Sequence, residues 1–145
     1  MTYGETPRNA KGDPFMSTRT NLRPQVVLDA GDMSGDLVTD PTILQSLSCG
    51  SYALTWTGST PVGSVSLQIS DDYKLNPNGT VENAGTWNTA PISVGGTTVN
   101  SAPVSGNTGT GYIEILGTGG YAIRLIYTSV SGSGSLTVTV NGKVT

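Results

Sequence analysis

From Ser51 to Ser70 the chain alternates large apolar and small polar side chains with hardly a break. Tyr52, Leu54 and Trp56 fall on one side of an extended backbone, with Ser51, Ala53, Thr55 and Thr57 on the other. A period of two is the mark of a β-strand with one buried face. Val65, Leu67 and Ile69 repeat the pattern against Ser64, Ser66, Gln68 and Ser70. The intervening GSTPVG, rich in turn residues, predicts a hairpin joining two neighbouring strands.

The same period predicts strands at QVVLDA (25–30), at GDLVTDP (35–41, stopped by Pro41), and in the last third at YIEIL (112–116), YAIRLIYTS (121–129) and SLTVTVNGKV (135–144). GTGG and VSGSGS are the expected turns between those last three. Residues 71–96 are less regular. There Asn78-Gly79, flanked by Tyr73, Leu75 and Val81, predicts a small projecting hairpin. A short strand is expected at 97–100, and TILQSLS (42–48) is at most a single helical turn.

About eight or nine strands with turn signals at intervals of roughly ten residues, and no helix, specify an all-β chain. The expected fold is an antiparallel β-sandwich or jelly roll with an extended N-terminal arm. Its core would comprise Val27, Leu37, Leu44, Leu47, Leu54, Trp56, Val65, Leu67, Ile69, Ile113, Ile115, Ile123, Leu125, Tyr127, Leu136, Val138 and Val140.

Residues 1–24 show neither period, so the expected organisation is an arm over 1–24 and a sandwich domain over 25–145. Arg8, Lys11, Arg19 and Arg23 against Glu5 and Asp13 make the arm +2, which leaves −5 on the other 121 residues of a chain whose net charge is −3. Ordering a residue costs about 1–2 kcal/mol of backbone entropy, so such an arm becomes ordered by packing against a neighbouring chain. Tyr3, Phe15, Met16 and Leu22 are its apolar anchors.

At 145 residues the chain fits one domain with a core of useful size. It has no histidine, which removes Ser-His-Asp and Cys-His relays, His-ligated metal sites and the usual pH switch. The lone Cys49 cannot form an internal disulfide and has no histidine to activate it. Ser and Thr total 37 residues while charged residues are 12%, a neutral hydroxyl-rich surface with no basic field for nucleic acid. No apolar run approaches the ~20 residues of a membrane span, and no apolar stretch follows a basic start as in a signal peptide. Synthesis in the cytoplasm, no membrane and no nucleic-acid partner are the expectations.

Candidate chemistry is sparse. Asp29, Asp32, Asp36 and Asp40 lie close enough in sequence to suggest calcium, although their spacing is not that of an EF-hand, it lacks the closing Glu, and a solvated turn between strands is the better account of them. Glu82 and Glu114 are the only glutamates outside the arm, and nothing in the sequence brings them together as a glycosidase pair. Neither a catalytic residue nor a cofactor is expected, and the chain reads as no enzyme. Tyr73, Trp87 and Tyr112 fall outside the core phase and are the candidates for stacking on glycan rings, against a plain role closing the sandwich ends. Arg124, on the outward face, is expected to pair with Glu114 on an adjacent strand.

The succession DMSGDLVTDPTILQSLSCGSYALTWTGSTPVGSVSLQIS, then GTWN, then YAIRLIYTSVSGSGSLTVTVNGK resembles a β-sandwich module of tailed-bacteriophage virions, over roughly residues 26–145. The resemblance implies a capsid decoration or cement protein. Such a protein would sit on the capsid surface of the virion, bind the major capsid protein and other virion subunits, clamp neighbouring subunits, and associate with copies of itself as a homo-oligomer. Its interface residues would be those of the arm: Tyr3, Arg8, Lys11, Phe15, Met16, Arg19, Leu22 and Arg23. The alternative within the same resemblance is a tail or head-fibre adhesin module that binds host glycans.

Overall fold

The computed structural model describes residues 21–44, 49–115 and 121–143, the side chains of 21–23, 49 and 143 excepted. The arm residues Tyr3, Arg8, Lys11, Phe15, Met16 and Arg19, the side chains of Leu22, Arg23 and Cys49, and the expected core residue Leu47 lie outside that description.

Twelve strands form among the described residues: β1 (Asn21–Asp32), β2 (Leu37–Val38), β3 (Thr42–Ile43), β4 (Cys49–Ser70), β5 (Lys74–Leu75), β6 (Val81–Asn83), β7 (Asn88–Ala90), β8 (Ile92–Val94), β9 (Thr97–Val99), β10 (Ala102–Ser105), β11 (Thr108–Ile115) and β12 (Ala122–Lys143). The expected hairpin at GSTPVG does not exist. Instead β4 runs through it for 22 residues, and β12 runs for 22 residues through VSGSGS. The two pair antiparallel from Ala122↔Ser70 to Lys143↔Cys49. Each supposed turn is opposite the other, so the Gly and Ser residues that signal turns here make a shared bend.

The register explains how one sheet becomes two layers. Between Ser129 and Ser131 β12 gains a residue on β4, and between Ser131 and Ser133 β4 gains one in return. Each strand thus carries a bulge, which bends it and increases its twist. The extra residue also flips the apolar phase. Tyr52, Leu54 and Trp56 give way to Val65 and Leu67 in β4, and Ile123, Leu125 and Tyr127 give way to Leu136, Val138 and Val140 in β12, all buried in one core cluster. The halves on either side of the bend therefore face each other with their apolar sides inward, as in a sandwich.

Backbones meet closely at the bend. A methyl group on Gly58 would collide with the Ser133 carbonyl oxygen and the Cα of Gly134, and one on Gly132, where φ is +79°, with the Thr60 carbonyl group. Thr60 itself has φ of 47°, an uncommon conformation for a β-branched residue. Asn107 holds it there: its carbonyl accepts the Gly58 N–H at 2.7 Å and its Oδ1 accepts the Thr60 N–H at 2.7 Å.

One layer has the order β1, β12, β4, β11, β8, β9; in the other, β2 and β3 pair with the first part of β12, and β7 and β10 with the last part of β4. The first strand, expected over 25–30, starts at Asn21, and its edge is blunted by Pro24 and three register shifts, features that discourage pairing with another sheet. The core contains the expected residues other than Leu47, with Leu37, Leu44 and Ile69 partly buried around it. It also contains Tyr52, which shares its strand face with Leu54 and Trp56, and Met33, Ile92, Ala102 and Val104, which strand phase did not mark.

Candidate functional site

The two long strands leave the sandwich closed on one side and open on the other. Along β12, residues 33–44 seal the gap. Met33 is fully buried with its N–H on Gly134 O (2.8 Å), while Thr39 donates its N–H to Leu125 O (3.0 Å) and its Oγ1 accepts the Leu125 N–H (2.8 Å). Along β4, β11 pairs with residues 50–57 and β10 with residues 62–65, on opposite sides of the bend. Between them a slot of about 190 Å³ opens onto the core, lined by Leu54, Trp56, Val65, Val94, Val104 and Tyr112 among others. Trp56 floors it, its Nε1 donating to Gly106 O at 3.2 Å and its ring lying where a side chain at Gly109 would be.

A second surface lies beyond the end of β4. Asp72 ties the segment 70–87 together: its Oδ1 accepts the Thr86 N–H (2.6 Å) and the Ser70 hydroxyl (2.8 Å), and its Oδ2 the Thr86 hydroxyl (3.0 Å). These donors, the Thr86 N–H foremost, hold its pKa below the ordinary carboxylate value. The small hairpin of β5 and β6 forms as expected, closed by Asn76 N–H to Thr80 O (2.7 Å) and bridged by Lys74 Nζ and Glu82 Oε2 at 3.4 Å. Tyr73 and Trp87 come together, ring centroids 5.7 Å apart and tilted by 52°. The Trp87 Nε1 donates to Ala84 O (2.8 Å), and the Arg124 guanidinium carbon sits 4.2 Å from the ring centroid. Two shallow depressions of about 400 and 300 Å³ flank this cluster and share Asp71 and Asp72; Tyr121 lines the smaller.

Several expectations are revised by these positions. Tyr112 does not join Tyr73 and Trp87; it stands on β11, 59% exposed, at the slot. Arg124 does not meet Glu114, because β11 pairs with the first part of β4 while Arg124 lies opposite Gln68 in the last part. Its Nε donates to Gln68 Oε1 at 2.8 Å, and partial burial draws its pKa down. Asp29, Asp32, Asp36 and Asp40 do not converge: Asp32 Oδ1 accepts the Ser34 N–H (2.9 Å), Asp36 Oδ1 accepts the Ser129 N–H (2.9 Å), and no group of three or more acidic or thiol side chains able to hold a metal forms among the described residues. Glu82 and Glu114 lie in different sheets. A carboxylate such as Asp72, held low and engaged by three donors, is an anchor for the loop and is unlike the raised-pKa carboxyl of a general acid.

Sequence reasoning missed Asp72, Asn107 and Met33. The run Ser70-Asp71-Asp72 directly after a strand was a signal for a side-chain-capped turn. Asn107 and Met33 act through partners more than 40 residues away in the chain, as in Thr60 with Asn107 and Met33 with Gly134. Among the described residues no helix is long and apolar enough to cross a membrane.

No protein-family model matches the chain, and no curated protein matches it in sequence. Among solved structures it is similar to the SPBc2 prophage-derived protein YomS, with a TM-score of 0.55 and 10% identity over 87% of this chain and 96% of that one. At that identity the likeness concerns the fold.

Proposed function

We propose that this chain is a non-enzymatic structural protein of a bacteriophage virion, a decoration or cement protein that binds the capsid surface and clamps neighbouring subunits through its N-terminal arm. The observation that carries the reading is the similarity to a prophage-derived protein across nearly the whole of both chains, at a TM-score of 0.55. The layout of the body supports it. β1, which residues 1–20 precede in the chain, lies at the rim of the sheet, and that rim's own pairing capacity is blunted, which favours attachment through the arm over pairing of sheet edges. A +2 arm on a −5 body favours contact with acidic neighbours, and many copies on one shell add weak contacts together.

Because β1 begins at Asn21, the test is deletion of residues 1–20. Particles of the parent phage are purified with the full or shortened chain, and its ratio to the major capsid protein is measured by mass spectrometry. The full chain is expected at a fixed ratio and the shortened chain is expected to be lost; equal occupancy by both would refute the arm's role, and no full chain on particles would refute the virion reading.

A second reading, a fibre adhesin module holding host glycans, is favoured by the smaller depression, which Tyr73 and Tyr121 line beside Asp71, Asp72 and Lys74. Trp87 offers less than its sequence position suggested, since Arg124 covers its ring. Binding on a glycan array that disappears in Tyr121→Ala would select this reading over the first.

A further inference from the structure

We propose that the slot between β10 and β11 is the receptor for the arm of a second copy of this chain, with Phe15 and Met16 as its plug. The inference rests on the arm-mediated attachment proposed above and names one of its partners.

The slot is an unfinished part of the core. Met33 closes the corresponding gap on the β12 side and is fully buried, whereas on the β4 side Leu54, Trp56, Val65 and Val104 line an opening of about 190 Å³. Apolar side chains that reach it would be withdrawn from water at little cost in polar desolvation. The chain's single phenylalanine is Phe15, next to Met16, in the 20 residues that precede β1. Of those residues, Arg8, Lys11 and Arg19 outnumber Glu5 and Asp13, while the rest of the chain is acidic and Glu114 stands exposed two residues from Tyr112.

Geometry separates the copies. Asn21 pairs with Lys143, and Lys143 with Cys49, so the arm enters level with one end of β4 and at the far rim from β11. Reaching the slot from there crosses β12, β4 and β11, three spacings of about 4.8 Å, and runs about 13 Å along the strands, roughly 20 Å before turning inward around β11. The six residues from Phe15 to Asn21 span at most about 20–22 Å when fully extended. The direct path through the sandwich is filled by Tyr52 and Leu54. Six residues are too few both to cover that distance and to turn inward, so the plug is assigned to the arm of a neighbour.

The test uses full-length chains in a Cys49→Ser background. A chain with Phe15→Cys is mixed with a chain with Val94→Cys, Val94 being at the slot and only partly buried. Oxidation is expected to yield a disulfide heterodimer. A double variant carrying both substitutions that closes within one chain at high dilution overturns the proposal, as does failure of the mixed pair to cross-link. Independently of any cysteine change, Phe15→Ala is expected to weaken self-association in sedimentation velocity about tenfold to a hundredfold, the scale for losing one large apolar side chain; unchanged association, or none in the unaltered chain, also overturns it. Loss of cross-linking with virion attachment still dependent on residues 1–20 would sink this inference and leave the capsid reading standing. Cross-linking without virion attachment would do the reverse.

Discussion

The bend shared by β4 and β12 predicts a graded response to four glycine-to-alanine substitutions. Gly35 has nothing within 4 Å of an added methyl group, so Gly35→Ala tests only the unfolded chain and is expected to be neutral or to stabilise by about 0.4–1 kcal/mol. Gly95, with φ of 58°, also has open space around it. Its alanine variant carries the left-handed strain alone, about 1–2 kcal/mol. Gly58 has crowding alone: the added carbon meets backbone atoms of Ser133 and Gly134, which can yield only by separating β12 from β4. Overpacking of this kind costs about 1–3 kcal/mol. Gly132 combines φ of +79° with the Thr60 carbonyl, so Gly132→Ala is expected to lose about 2–5 kcal/mol. Against a total stability of about 5–15 kcal/mol that is a large fraction. Urea denaturation followed by far-ultraviolet circular dichroism measures all four, and the worst is expected to melt about 6–15 °C lower. Equal stability of Gly35→Ala, Gly58→Ala and Gly132→Ala would refute the close crossing, and with it the conversion of one sheet into two layers.

Among the described residues the buried hydroxyls of Tyr52 and Tyr127 make no hydrogen bond of good geometry, with only the Thr39 and Ser129 hydroxyls as weak partners, so Tyr52→Phe and Tyr127→Phe are each expected to preserve stability or raise it by up to about 1 kcal/mol; a loss larger than that in urea would show that these weak contacts matter. Burial lifts the Tyr52 pKa above its ordinary 10.0, keeping the neutral form in the folded protein. That contribution is complete below pH 10.0 and is lost as pH rises beyond it, so the double Phe variant is expected to unfold less readily in alkali than the unaltered protein. At the acidic end the sign reverses. Asp72 titrates below its ordinary 3.8, so its hold on Thr86 and Ser70 is complete above that value and is lost as pH falls through the lower folded pKa. Trp87 fluorescence in Asp72→Ala at neutral pH is expected to match that of the unaltered protein in acid; a match to the unaltered protein at neutral pH would show that Asp72 does not position the segment.

What the amino-acid order determined by itself was which side chains face inward. The runs Tyr52-Leu54-Trp56, Val65-Leu67, Ile123-Leu125-Tyr127 and Leu136-Val138-Val140 are buried as their period of two requires, and Asn78-Gly79 closes the hairpin that its residue types specify. Both are local properties, fixed by backbone pleat and by turn conformation. Whether GSTPVG and VSGSGS end strands or bend them was decided only in the tertiary structure. Glycine and serine permit a reversal and a bulged crossing alike, and the choice rests on each segment finding the other opposite it, some 70 residues away in the register Ser133↔Ser59. The same holds for the candidate surfaces. Tyr73 and Trp87 meet because Asp72 draws Thr86 back to the end of β4, and Tyr112 stands apart because the bend sends β10 and β11 to different layers; neither long-range contact has a periodic signature along the chain.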